Sequence, residues 1–183
     1  LSRQFMEKIK HCVAKARELG LDAWIYDELD WPSGTAGGAL YRHGVKSYAC
    51  HVKKIAAQSK NRAANELFRQ GSTVYAKEYG SGANELSADV TRDFLELTHE
   101  YYKEAIGGEF GKTVPGTFFD EPQYASYYEP NDYIPWSDDL PEKYAELWGE
   151  NVCETLPSLF ENTGDYKEAR KRFWYTVTEL YAH

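Results

Sequence analysis

Methionine occurs once and cysteine three times in the 183 residues of this chain. Cys12, Cys50 and Cys153 are far apart, form no CxxC and leave an odd thiol. That excludes a disulfide scaffold and predicts a reducing compartment or buried free thiols. No run approaches the roughly 18 apolar residues of a membrane span, and the first residues do not read as a signal peptide. A membrane partner is therefore not expected, and the compartment stays open. Basic residues are also short, with 21 Lys and Arg against 29 Asp and Glu for a net charge of −8. Without a basic run the chain is not expected to bind nucleic acid, because phosphate neutralisation supplies most of that affinity. What is present is a globular composition of one domain's length, 42% hydrophobic and 15% aromatic, able to bury a core. The 15 Tyr and 5 Trp stand out. Such rings stack on the C–H faces of sugars, and they also fill ordinary cores.

Phe5, Ile9, Cys12, Val13, Ala16 and Leu19 recur at helical spacing, with Ser2 as N-cap and Gly20 as stop. Leu21 to Asp27 then reads as a strand ending in Asp27-Glu28, before the Gly-rich loop from Trp31 to Gly38. Residues 39–80 are hard to read. Val45 to Ile55 suits a strand or a helix, Ala56 to Arg69 has helical composition, and Val74 to Tyr79 suits a short strand. Ser87 can cap a long helix whose expected buried stripe is Val90, Phe94, Leu97, Tyr101 and Ala105. Val114 to Phe119 reads as a second strand, ending in Asp120-Glu121. An aromatic loop from Tyr124 to Trp136 follows, then helices near 141–148, 152–160 and 165–181. Helix, strand and acidic loop in alternation predict an α/β fold of the (β/α)8 barrel type.

In such barrels the C-terminal strand ends carry the chemistry, since the loops there form the open face. Two strands ending in carboxylates suit glycosidic bond cleavage. One carboxyl must be protonated to help the leaving oxygen depart, and the other ionised to attack the sugar or activate water. Glu28 and Glu121 are the candidate catalytic pair, with Asp27, Trp31, Asp120 and Tyr124 as candidate substrate-binding residues. Two alternatives stand beside this reading. Acids after a strand often cap helices or face water, and clustered carboxylates also bind hard cations such as calcium. No EF-hand or HExxH spacing supports a metal site, so no cofactor is expected and calcium is the cation to consider. The histidines read as structural, His11 and His99 as surface residues of helices. Ser33 lies in Pro-Ser-Gly, outside any GxSxG elbow.

The stretch LDAWIYDELDWPSGTAGG (residues 21–38) resembles a signature of bacterial glycoside hydrolases of the alpha-L-rhamnosidase type, family 106. FLELTHE (94–100), Gly111-Lys112 and GTFFDEP (116–122) are similar to a second pattern of those proteins, and Ile134 to Ser137 and Leu156 to Phe160 also match. The resemblance spans most of the chain outside 39–80. It implies a middle piece of a (β/α)8 catalytic domain holding three or four of the strands, since a full barrel takes roughly 250 residues. It implies a carbohydrate substrate, a rhamnoside or a related plant or polysaccharide sugar, with Glu28 and Glu121 in the site. A piece of an open sheet exposes edges and apolar surface, so a homo-oligomer or missing parts of the same polypeptide would cover them. A non-catalytic carbohydrate-binding or scaffold segment and a metal-dependent hydrolase are the competing expectations. On this reading, Glu→Gln at either glutamate leaves folding near normal.

Overall fold

The computed structural model describes residues 1–29, 31–56, 65–124 and 133–182. In chain order its elements are α1 (Arg3–Leu19), β1 (Ile25–Tyr26), β2 (Tyr48–Ala56), β3 (Glu66–Gln70), β4 (Thr73–Ala83), α2 (Ala88–Leu97), α3 (His99–Ile106), β5 (Thr117–Phe118), β6 (Tyr133–Trp136), α4 (Leu140–Trp148), α5 (Val152–Phe160) and α6 (Tyr166–Ala182). Short 3-10 turns lie at Ala39–His43, Val45–Ser47 and Gly107–Glu109. The chain divides into two compact units, one of Leu1–Gly44 with Ala88–Gln123 and one of Val45–Ser87 with Tyr124–His183.

In the first unit α1 begins where expected, with the Ser2 hydroxyl accepting from the Phe5 N–H at 3.1 Å. It ends at Gly20, whose φ of 68° is the left-handed cap conformation that costs glycine no Cβ clash. Met6 and Val13 of α1 pack with Ile25, Tyr102, Ile106 and Val114. The long helix expected after Ser87 is broken at Thr98, which has φ −128° and ψ −74°. Its hydroxyl is satisfied inside the break, donating to the Phe94 carbonyl at 2.7 Å. The break moves the buried stripe to Val90, Phe94, Tyr102 and Ile106 and leaves Tyr101 exposed. β1 and β5 are parallel neighbours, Ile25 opposite Thr117 and Tyr26 opposite Phe118.

The second unit overturns the barrel. Its sheet has four strands in the order β3-β4-β2-β6, and all its pairings are antiparallel. A (β/α)8 barrel is all parallel, each strand returning through a helix. Here two strands follow each other through Gly71-Ser72, with Gln70 paired to Thr73 across a two-residue turn. Gly71 takes φ 57°, as such hairpin turns require. The helix expected over Ala56 to Arg69 is not formed at Glu66–Gln70, which is strand, and residues 57–64 lie outside the described residues. The α/β character holds, while the incomplete barrel of three or four parallel strands does not: β1 and β5 are the one parallel strand pair among the described residues.

One face of the four-stranded sheet carries Cys50 and Val52 of β2 against Trp136 and Ile134 of β6. Tyr144, Leu156, Phe173 and Val177 of α4 to α6 join them in the core. Pro135 is accommodated because β6 is an edge strand. Buried Thr176 donates to the Arg172 carbonyl and accepts the Trp148 indole N–H at 3.1 Å. Among the described residues no helix is long and apolar enough to cross a membrane.

Candidate functional site

The two acidic strand ends lie side by side because β1 and β5 are parallel and in register. Tyr26 and Phe118 stack across that pair with ring centroids 5.9 Å apart. One register step earlier Trp24 covers Gly116, where an added Cβ would fall 2.8 Å from the indole ring. Trp24, Tyr26 and Phe118 are nonetheless exposed, as are Phe119 and Trp31.

Beyond Tyr26 the chain turns inward. Asp27 is 4% exposed, Glu28 8% and Ser33 1%. Ser33 ties the two strand ends together. Its hydroxyl donates to Asp27 Oδ1 at 2.8 Å and accepts the Asp120 N–H at 2.9 Å. Its own N–H donates to the Asp120 carbonyl at 2.9 Å. The Tyr26 hydroxyl donates to Asp120 Oδ2 at 3.0 Å.

Glu28 is spent on the loop. Its carboxylate accepts the backbone N–H groups of Leu29, Thr35, Ala36 and Gly37 at 2.5–2.8 Å and the Thr35 hydroxyl at 3.1 Å. A carboxylate offers about four lone-pair positions, so five donors leave none for a substrate. Burial alone would raise the Glu28 pKa, but the N–H groups of Leu29, Gly37 and Thr35 and the Thr35 hydroxyl hold it below the ordinary glutamate value. Glu28 is thus an ionised anchor. The Gly-rich loop wraps an anion supplied by its own chain, as a nest of N–H groups wraps a phosphate. Gly37, at φ 62°, lies close against the Leu29 side chain, where an added Cβ would fall 3.1 Å from Leu29 Cδ2.

Asp27 is the opposite case. Its Oδ2 is buried without a hydrogen-bond partner. Burial pushes its pKa up, against the smaller opposing pulls of the Ser33 hydroxyl and of His99. His99, the first residue of α3, is half-buried, and burial lowers its pKa while the charge of Asp27 raises it. The expected surface position of His99 is therefore corrected. Its ring lies edge-on to Phe94 at 5.7 Å and its Nδ1 is 2.9 Å from the Thr98 hydroxyl.

The structure brings Asp27, Glu28 and Asp120 to one sheet edge. Glu121 follows Asp120, exposed and with φ 46°, a backbone state that non-glycine residues rarely hold outside functional or strained positions. Trp31 is 47% exposed at the loop entrance. Tyr124 belongs to the other unit, where its ring contacts Tyr181 edge-on at 5.0 Å; residues 125–132 of the aromatic loop lie outside the described residues. Sequence reasoning missed Ser33, Thr98 and His99. Ser33, His99 and Asp27 do not form a nucleophilic triad, since the Ser33 proton goes to Asp27 and not to the imidazole. Among the described residues no group of three or more His, Cys, Asp and Glu side chains is arranged to hold a metal ion.

No protein-family model, no curated protein and no solved structure matches the chain.

Proposed function

We propose that this chain is a segment of a carbohydrate-active enzyme that cleaves a glycosidic bond, with an alpha-L-rhamnoside as the first substrate to try. The observation that carries the reading is the common edge of β1 and β5. There Asp27, Asp120 and Glu121 follow two paired parallel strands, beside the exposed rings of Trp24, Tyr26 and Phe118. Apolar ring faces hold the C–H side of a sugar and carboxylates accept its hydroxyls. The net charge of −8 favours a neutral sugar over an anionic one. Glu121 is the base of the reaction. It takes the proton of the attacking water as the C–O bond breaks, and the leaving oxygen takes a proton from a second group.

A second reading has one observation behind it. The complete use of Glu28 by its loop removes one member of the expected pair and favours a sugar-binding wall without turnover. Aryl glycosides, the rhamnoside first, separate the two. Release of the aryl group by the chain, reduced about 100-fold or more in Glu121→Gln, supports cleavage. Sugar-dependent thermal stabilisation without release supports the binding wall. Neither effect across a panel of neutral glycosides overturns both.

A further inference from the structure

We infer that Ser33 is a positioning residue: it grips the peptide groups on both sides of Asp120 and so holds Glu121, the next residue, in its left-handed backbone state at the common edge of β1 and β5. Three hydrogen bonds make the grip. The Ser33 N–H donates to the Asp120 carbonyl at 2.9 Å. The Asp120 N–H donates to Ser33 Oγ at 2.9 Å. An N–H only donates, so Oγ is the acceptor there, and its own hydrogen goes to Asp27 Oδ1 at 2.8 Å. Asp27 thereby sets the direction in which the Ser33 hydroxyl meets Asp120. The Tyr26 hydroxyl holds the Asp120 side chain as well, at Oδ2.

The carbonyl that Ser33 grips lies in the peptide plane that also carries the Glu121 nitrogen. With the planes before and after Asp120 both held, the φ of Glu121 decides where its Cβ goes. That φ is 46°. Two local effects oppose it. The left-handed region crowds Cβ against the following carbonyl, and a residue before proline, here Pro122, favours extended backbone. Such a state persists only where the surroundings over-determine it. Ser33 is 1% exposed and stands on the loop that Glu28 ties down through the N–H groups of Thr35, Ala36 and Gly37. The grip is thus anchored at one end by a buried carboxylate and ends one residue short of Glu121. In the proposed reaction a base misplaced by about 1 Å loses roughly 100-fold in rate, and Ser33 acts on that placement without touching substrate. Only this last step rests on the glycosidase reading; the grip does not.

The test has arms that need no substrate. In NMR of the intact chain a strong Overhauser effect between the N–H and Hα of Glu121 marks its positive φ, and the Asp120 amide exchanges slowly. Absence of either in the unaltered chain overturns the inference, whether or not any variant folds. Ser33→Ala removes the hydroxyl. The Asp120 amide then loses about 10-fold or more in protection, and Glu121 loses its strong Overhauser effect. A Ser33→Ala chain that keeps both overturns the grip. With an aryl glycoside, Ser33→Ala loses about 100-fold in kcat at little change in KM, the split expected of a group that acts only on the reacting geometry. Val13→Ala, a cavity in the core of the same unit, keeps its kcat while folded. Full kcat in Ser33→Ala, or an equal loss in Val13→Ala, overturns the positioning role. If no glycoside turns over with the unaltered chain, the proposed function fails and the NMR arms still decide the grip.

Discussion

Glu28→Gln destabilises the first unit by about 3 kcal/mol, the scale of losing two charge-assisted hydrogen bonds from a buried acceptor. The glutamine oxygen, at the Oε2 position, can still accept from the Thr35 N–H and hydroxyl and from the Ala36 N–H. Its amide nitrogen then faces the backbone N–H groups of Leu29 and Gly37, donor against donor, and the loop of Thr35, Ala36 and Gly37 loses part of its anchor. Urea unfolding measures the loss, and the amides of those three residues should lose hydrogen-exchange protection with it. An unchanged midpoint with unchanged protection would mean that the carboxylate does not hold the loop. This replaces the expectation that a Glu→Gln change at 28 is neutral to folding. The same anchor fixes a pH dependence. Because the Glu28 pKa is lowered in the fold, its contribution is present above the ordinary value of 4.5 and is lost as pH falls through the folded value. Asp27 has the opposite sign. Its raised pKa favours the fold below 3.8 and withdraws that support as pH rises through the folded value.

Phe173→Ala costs the second unit about 3–5 kcal/mol. Phe173 is fully buried on α6 among Trp136, Tyr144 and Val177, where three helices and one sheet face meet and little can collapse into the space left behind. Chemical denaturation followed by near-ultraviolet dichroism reads the change through the core aromatics. A loss under about 1 kcal/mol would place Phe173 outside the core.

Helices were the legible part of this sequence, because their apolar spacing and caps are local. Ser2 and Gly20 bound α1 as expected, Pro141 lies in the first turn of α4, and Phe173 and Val177 face inward from α6. The strand ends at Asp27 and Asp120 were legible too. The antiparallel sheet was not. β2 and β4 are long, mix lysines with apolar residues, and pair over a separation that no local pattern encodes. Lys54 and Lys77 lie on the same face as Cys50 and Val52, by the register of β2 with β4, and reach outward to Glu161 and Asp138, so the strict alternation that marks a strand is blurred. The break at Thr98 was hidden because threonine inside a helical stripe reads as a neutral residue; its bonds to Phe94 and His99 appear only in three dimensions. The role of Glu28 had a faint signal. A glutamate followed within nine residues by Thr35, Ala36 and Gly37 offers small residues whose N–H groups can converge on one carboxylate.

The measurement that bears most directly on this account is a carboxyl-carbon NMR titration of Asp27 and Glu28 in one sample of the intact chain. Adjacent acids on one strand end are shifted in opposite directions, Glu28 held down by the N–H groups of its loop and Asp27 pushed up by burial. The account predicts a Glu28 midpoint below 4.5 and an Asp27 midpoint above 3.8, the two directions set by N–H donors on one side and burial on the other. A Glu28 midpoint above its ordinary value together with an Asp27 midpoint below its own would contradict it, and would return Glu28 to the role of the site's proton-holding acid.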